Sequence, residues 1–160
     1  MAKATVQKLS RERAKELLSK MEEEVSGKSS GDVRDAVVKL LNKSVPTYSW
    51  VGIYLLKGDK LVLDAWSGPS PTEHVEIPIG KGICGFAAKV GRTEIVSDVS
   101  KDPRYIQCFE STKSEIVVPI FGEKGILGEI DIDSDQTDAF SSVDKEFLEA
   151  VARKVSRYCI

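Results

Sequence analysis

Two pairs of apolar runs, each pair interrupted by a short glycine-bearing turn, do most to limit what this chain can fold into. "WVGIYLL" and "KLVLDAW" are rich in β-branched and aromatic residues and flank Gly58-Asp59, while "EIVVPIF" and "ILGEIDID" flank "GEKG". Runs of that composition joined so tightly pair antiparallel, because a parallel partner needs a crossover of a dozen residues or more. Two hairpins therefore commit four strands to an antiparallel sheet. "HVEIPI" and "EIVSDV" read as two further strands, and "GKGICGFAAKVG" between them as a tight turn leading into a short helix closed by Gly91.

The helical patterns lie mostly before and after these strands. "SRERAKELLSKMEEEV" carries Ser10 as an N-cap and Leu17, Leu18, Met21 and Val25 at helical spacing on a charged segment. "GKSSG" (27–31) reads as a linker, after which Asp32 is expected to cap a helix whose Val33, Val37, Leu40 and Leu41 form one apolar face. Val143, Phe147, Val151 and Val155 repeat every four residues and mark a final helix. Strands joined by hairpins with helices gathered around them imply an antiparallel α+β domain. The expected division is a charged helix and linker over 1–31 and the main domain over 32–160.

Composition excludes several partners. The net charge is −2 with 30% charged residues, so no basic field is available to hold nucleic acid or an anionic membrane. No apolar run approaches the roughly 20 residues of a membrane span, and the start of the chain lacks an apolar signal core; a cytoplasmic location is expected. There, Cys84, Cys108 and Cys159 make neither a disulfide framework nor a zinc knuckle. They are packing residues or chemistry.

Redox chemistry by a thiol needs a nucleophilic sulfur, an acid for the departing group and a second thiol to clear the oxidised sulfur. Cys108 lies in a long polar loop from Ser100 to Ser114, where a thiolate can be solvated and approached. Asp131 and Asp133 are two apart on a strand and share a face, and Glu115 starts the strand expected to pair with it. Carboxyls crowded in this way raise at least one pKa, while a remaining charge can hold an ammonium. Plainer alternatives stand beside each of these: an inert loop cysteine, a small packing residue at Cys84, turn-forming aspartates before "SDQTD", a core tryptophan at Trp50 and a solvated loop histidine at His74. Cys159 receives no role.

"WVGIYLL", "IPIGKGICGFAA", the cysteine of "YIQC", "SEIVVPI" and "ILGEIDIDS" are similar in order and spacing to the GAF-domain enzymes that reduce free methionine-(R)-sulfoxide. The resemblance runs from about Val33 to the C-terminus. It implies a six-stranded GAF sheet, a thiol enzyme with no cofactor or metal, a homodimer, and recycling by a thioredoxin-type reductant. It assigns attack to Cys108, substrate-binding carboxylates to Glu115, Asp131 and Asp133, and the cradle of the substrate methyl to Trp50. Many members carry a third cysteine ten residues before Cys84, the usual resolving partner; here that position is His74. Either Cys84 or an external thiol then resolves the sulfenic acid. Many GAF domains are non-catalytic pockets for small ligands, which is the alternative function.

Overall fold

The computed structural model describes residues 7–160; residues 1–6, part of the stretch read above for a signal segment, lie outside the described residues. The six strands are β1 (Trp50–Lys57), β2 (Lys60–Ser67), β3 (Glu76–Pro78), β4 (Glu94–Val96), β5 (Ser114–Gly122) and β6 (Gly125–Ser134). They form one antiparallel sheet in the order β3-β2-β1-β6-β5-β4. The two expected hairpins are its backbone, β1 with β2 and β5 with β6, and they meet where β1 pairs with β6 at the centre. The α+β architecture read from the sequence is the one observed.

Four helices cover the sheet: α1 (Arg11–Val25), α2 (Ser30–Ser44), α3 (Gly82–Val90) and α4 (Ser142–Val155). The cap of α2 differs from expectation. Ser29, not Asp32, is the N-cap: the Asp32 amide donates to Ser29 Oγ at 3.3 Å, and the Ser29 hydroxyl in turn donates to the Asp32 carboxylate at 2.8 Å. Asp32 thus sits one turn inside, where its charge complements the helix N-terminus. The expected linker is correspondingly shorter, and the strand read over "HVEIPI" is confined to three residues.

Because β-strand side chains alternate, the sheet has two faces with separate cores. On one, Val51 and Ile53 of β1, Ile116 and Val118 of β5, and Ile130 and Ile132 of β6 pack with the apolar faces of α2 and α4; Leu17 and Met21 of α1 join the same cluster. On the other, Trp50, Tyr54, Val117, Ile83, Cys84 and Ala87 form a smaller cluster under α3 and the loop that leads to β5. Among the described residues no helix is long and apolar enough to cross a membrane.

Candidate active site

The site lies on the smaller face. Register places Trp50 of β1 opposite Asp133 of β6, and Asp133 opposite Glu115 of β5, so the three form one row across the sheet. In the next row Gly52, Asp131 and Val117 are aligned, and in the one after it Tyr54, Glu129 and Pro119. Glu115 is therefore a direct cross-strand neighbour of Asp133 and a diagonal neighbour of Asp131, within reach for a carboxylic side chain. The convergence expected of Glu115, Asp131 and Asp133 is present, and all three are buried.

A fourth carboxylate belongs with them. Glu129 is 0% exposed, and neither of its oxygens has a hydrogen-bond partner. Its position, two residues before Asp131 on one strand, was a usable signal; "GEIDIDS" contains the full alternation. Asp131 Oδ1 and Asp133 Oδ2 are likewise buried without partners.

Burial, then the charges of Asp131 and Asp133, hold the Glu115 carboxyl well above the ordinary range. Burial does the same for Glu129 and Asp133, with Asp131 adding to both. Asp131 is also raised by burial, but hydrogen bonds from Glu115 and Cys84 oppose the rise. The cluster thus keeps protons on most of its members and favours Asp131 as the seat of the negative charge.

Two thiols border this cluster. Cys84, in the first turn of α3, is 6% exposed, and its Sγ lies 3.8 Å from Glu115 Oε1. A helix N-terminus ordinarily lowers a thiol's pKa. Here burial first, and then Asp131, Glu129 and Glu115, push it well up, so Cys84 rests as a thiol. Cys108 sits in the loop between a 3₁₀ turn at Val99–Lys101 and β5, with Sγ 3.6 Å from the carbonyl of Ile106.

The polar composition of that loop suggests a solvated thiolate, and the structure corrects this. Cys108 is only partly exposed, and burial, then Asp131 and Asp133, raise its pKa against a small opposing hydrogen bond with Thr72. His74 is corrected too. It is half-buried rather than free in water, its Nε2 lies 3.1 Å from the Gln107 carbonyl, and its own carbonyl accepts the Tyr54 hydroxyl at 2.9 Å.

Cys84, Cys108, Glu115 and His74 line one small cavity of about 30 Å³. On the same face of the sheet, Phe109 leans on Trp50 with ring centroids 5.8 Å apart, and Trp66 stacks on Trp50 at 6.4 Å and 11° between planes. Trp50 can lie flat here because two glycines flank it. A Cβ at Gly52 would meet its ring at 2.4 Å, and one at Gly68 would meet it at 2.5 Å. Trp66, Phe109, Gly52 and Gly68 carried no local sequence signal; only their packing around Trp50 identifies them. Cys159 lies in the core of the opposite face, away from this cluster.

The GAF domain family matches residues 32–158. A relative from Saccharomyces cerevisiae, a free methionine-R-sulfoxide reductase, is 41% identical over 116 residues, a match spanning 70% of this chain and 63% of the yeast protein. A solved free methionine-R-sulfoxide reductase from Neisseria meningitidis, in complex with its substrate, has a TM-score of 0.88 at 29% identity, covering 99% of this chain and 96% of that one. The Staphylococcus aureus fRMsr in complex with substrate has a TM-score of 0.86 at 34% identity, covering 98% of this chain and 100% of its own.

Proposed function

This chain belongs to the GAF-domain family, and from that premise and the site's geometry we propose that it is a free methionine-(R)-sulfoxide reductase that works through Cys108. The observation that carries this is the placement of two thiols beside a buried carboxyl cluster whose Asp133 is paired in register with Trp50. Relatives with that activity, and two structural neighbours holding substrate, support it.

Substrate is much larger than the 30 Å³ cavity. Admission therefore withdraws Phe109 and the loop around Cys108 from Trp50, leaving the indole face for the substrate's methyl group. The substrate ammonium pairs with Asp131, the carboxyl most prone to ionise and one with an oxygen unpartnered. A methionine sulfoxide within a polypeptide has no such ammonium, so the site selects the free amino acid.

Cys108 sulfur attacks the sulfoxide sulfur as its proton passes to a neighbouring carboxylate, and a protonated carboxyl, Glu115 or Asp133, gives its own to the sulfoxide oxygen. The products are methionine and a sulfenic acid at Cys108. The Cys84 thiol then displaces hydroxide from that sulfur, forming a disulfide and water. A thioredoxin-type dithiol reduces the disulfide and is itself oxidised. Both thiols start protonated, so proton transfer within the cluster, rather than a resting thiolate, starts the cycle. A reducing cytoplasm, where the dithiol is regenerated, and a homodimeric state complete the proposal.

The test is NADPH consumption through thioredoxin and its reductase, with free methionine-(R)-sulfoxide, its (S) epimer and the N-acetylated (R) form supplied in parallel. Turnover of the free (R) form alone, lost in Cys108→Ser with the fold intact, is the expected result. No turnover of any of the three, with dithiothreitol as the direct reductant, would assign the chain to the ligand-binding GAF modules instead.

A further inference from the structure

The proposed chemistry leaves buried polar atoms without partners. Glu115, Glu129, Asp131, Asp133 and the Cys84 thiol are buried together, and among the described residues no lysine, arginine or histidine is buried to offset them. A substrate ammonium supplies one positive charge near Asp131, and nothing in the proposed cycle uses Glu129. Yet Glu129 is fully buried with both oxygens unpartnered. Leaving a carboxyl in that condition costs free energy unless a cation or hydrogen-bond donor meets it.

Donor atoms of Cys84, Glu115 and Asp131 all lie within 4.8 Å of one another, and the Cys84–Glu115 pair is 3.8 Å apart. Tetrahedral zinc, with metal–sulfur bonds of about 2.3 Å and metal–oxygen bonds of about 2.0–2.2 Å, sets its donors roughly 3.5 Å from one another, so a small contraction of the trio suffices. Glu129, two residues before Asp131 on the same face of β6, lies outside that trio and can supply the fourth donor by a side-chain shift.

We propose that Cys84, Glu115, Glu129 and Asp131 form a binding site for a thiophilic divalent cation of the zinc class, and that its occupancy silences the thiol chemistry by withholding Cys84. A sulfur ligand favours zinc-like ions over magnesium or calcium, which take oxygen alone. Binding displaces the Cys84 thiol proton and those of the ligating carboxyls to solvent, and the cation's two positive charges offset two of the four anions left behind. The ion also takes the Asp131 oxygens that hold the substrate ammonium, so metal and substrate exclude each other. The binding site stands on the geometry alone; the silencing rests on the reductase function proposed above.

Cobalt(II) is the probe, because a thiolate bound to it gives a sulfur-to-metal charge-transfer absorption in the near ultraviolet. Reduced protein titrated anaerobically should develop this band, saturate at one cobalt per chain and lose it when zinc is added. The variant Cys108→Ser/Cys159→Ser retains Cys84 as the single thiol and should keep the band. Absence of the band in the wild-type protein, or its loss in that variant, overturns the site. Glu129→Gln should weaken cobalt binding by at least about tenfold; affinity unchanged by the substitution removes Glu129 and with it the four-ligand site. Zinc should also halt methionine formation, with recovery on adding EDTA, and uninhibited turnover at saturating zinc would overturn the silencing. A cobalt band in a protein inactive in zinc-free buffer would sink the reductase function and leave the site standing, whereas an active protein without the band would do the reverse.

Discussion

Along β6 the backbone is continuous, but Ile130 and Ile132 face one way and Glu129, Asp131 and Asp133 the other. Both sets are buried. The isoleucines meet Ile116 and Val118 of β5, Val51 and Ile53 of β1 and the apolar faces of α2 and α4, an arrangement that removes hydrocarbon from water. The acids meet α3 and a loop, with several oxygens left unpartnered.

Asp144, on the helical side of the molecule, shows what a structural buried acid looks like. It accepts the Tyr48 hydroxyl at 2.6 Å and the Ser141 amide at 2.8 Å while completing a capping box. Among the site carboxyls, Glu129, Asp131 and Asp133 each have at least one oxygen with no such partner. One face buries hydrocarbon, and the other buries polar atoms without partners.

The widest separation between the faces is expected from their thiols. Cys84→Ser should limit the enzyme to a single turnover per chain with thioredoxin, whereas Cys159→Ser, in the core of the opposite face, should leave turnover at the wild-type rate. Quench-flow counting of methionine formed per enzyme makes the distinction, and normal cycling by Cys84→Ser would show that another thiol resolves the sulfenic acid.

Adjacent residues of β6 give the next contrast. Asp133→Asn is expected to lower kcat/KM at least about 100-fold, or ~2.7 kcal/mol, with little loss of stability. Ile132→Ala should do the opposite, costing about 2–5 kcal/mol in denaturant unfolding while the folded fraction keeps its kcat/KM. If Asp133→Asn loses less than about threefold in kcat/KM, the acidic face is not the substrate face.

A pH series tests the same difference through proton linkage. Burial raises the Glu129 carboxyl above its unfolded value of 4.5, so the folded state keeps a proton that the unfolded chain releases as pH climbs past that value. At this group the folded state binds more protons than the unfolded one, so its contribution to stability falls as pH rises toward the folded pKa. Glu129→Gln removes one such proton and should make the decline shallower by about 1.4 kcal/mol per pH unit. Equal slopes from about pH 5 to pH 7.5 in wild type and variant would show that the proton is not held there.

The smallest effect is expected at Gly52, where an added methyl displaces Trp50 rather than removing a reacting group. Gly52→Ala should raise KM for the free sulfoxide about three- to tenfold with a smaller change in kcat. An unchanged KM would place the substrate methyl somewhere other than on Trp50.

The hairpins, helix faces and acid alternation needed only local chemistry. Gly58-Asp59 and "GEKG" permit one kind of connection, and a period of two puts Asp131 and Asp133 on one side of any strand. The sequence alone therefore determined the α+β class, the pairing within each hairpin and three carboxylates of the cluster. Composition could not show how much water each group keeps, because burial is decided by what lies across the sheet.

Packing of α3 and the loop onto the acidic face turned Cys108 from an expected solvated thiolate into a thiol that holds its proton. The same packing brought His74 to the cavity, set Phe109 on Trp50 and left Glu129 without a partner. Desolvation and charge proximity depend on distances between segments far apart in the chain. Those distances exist only once β1, β5, β6 and α3 are assembled.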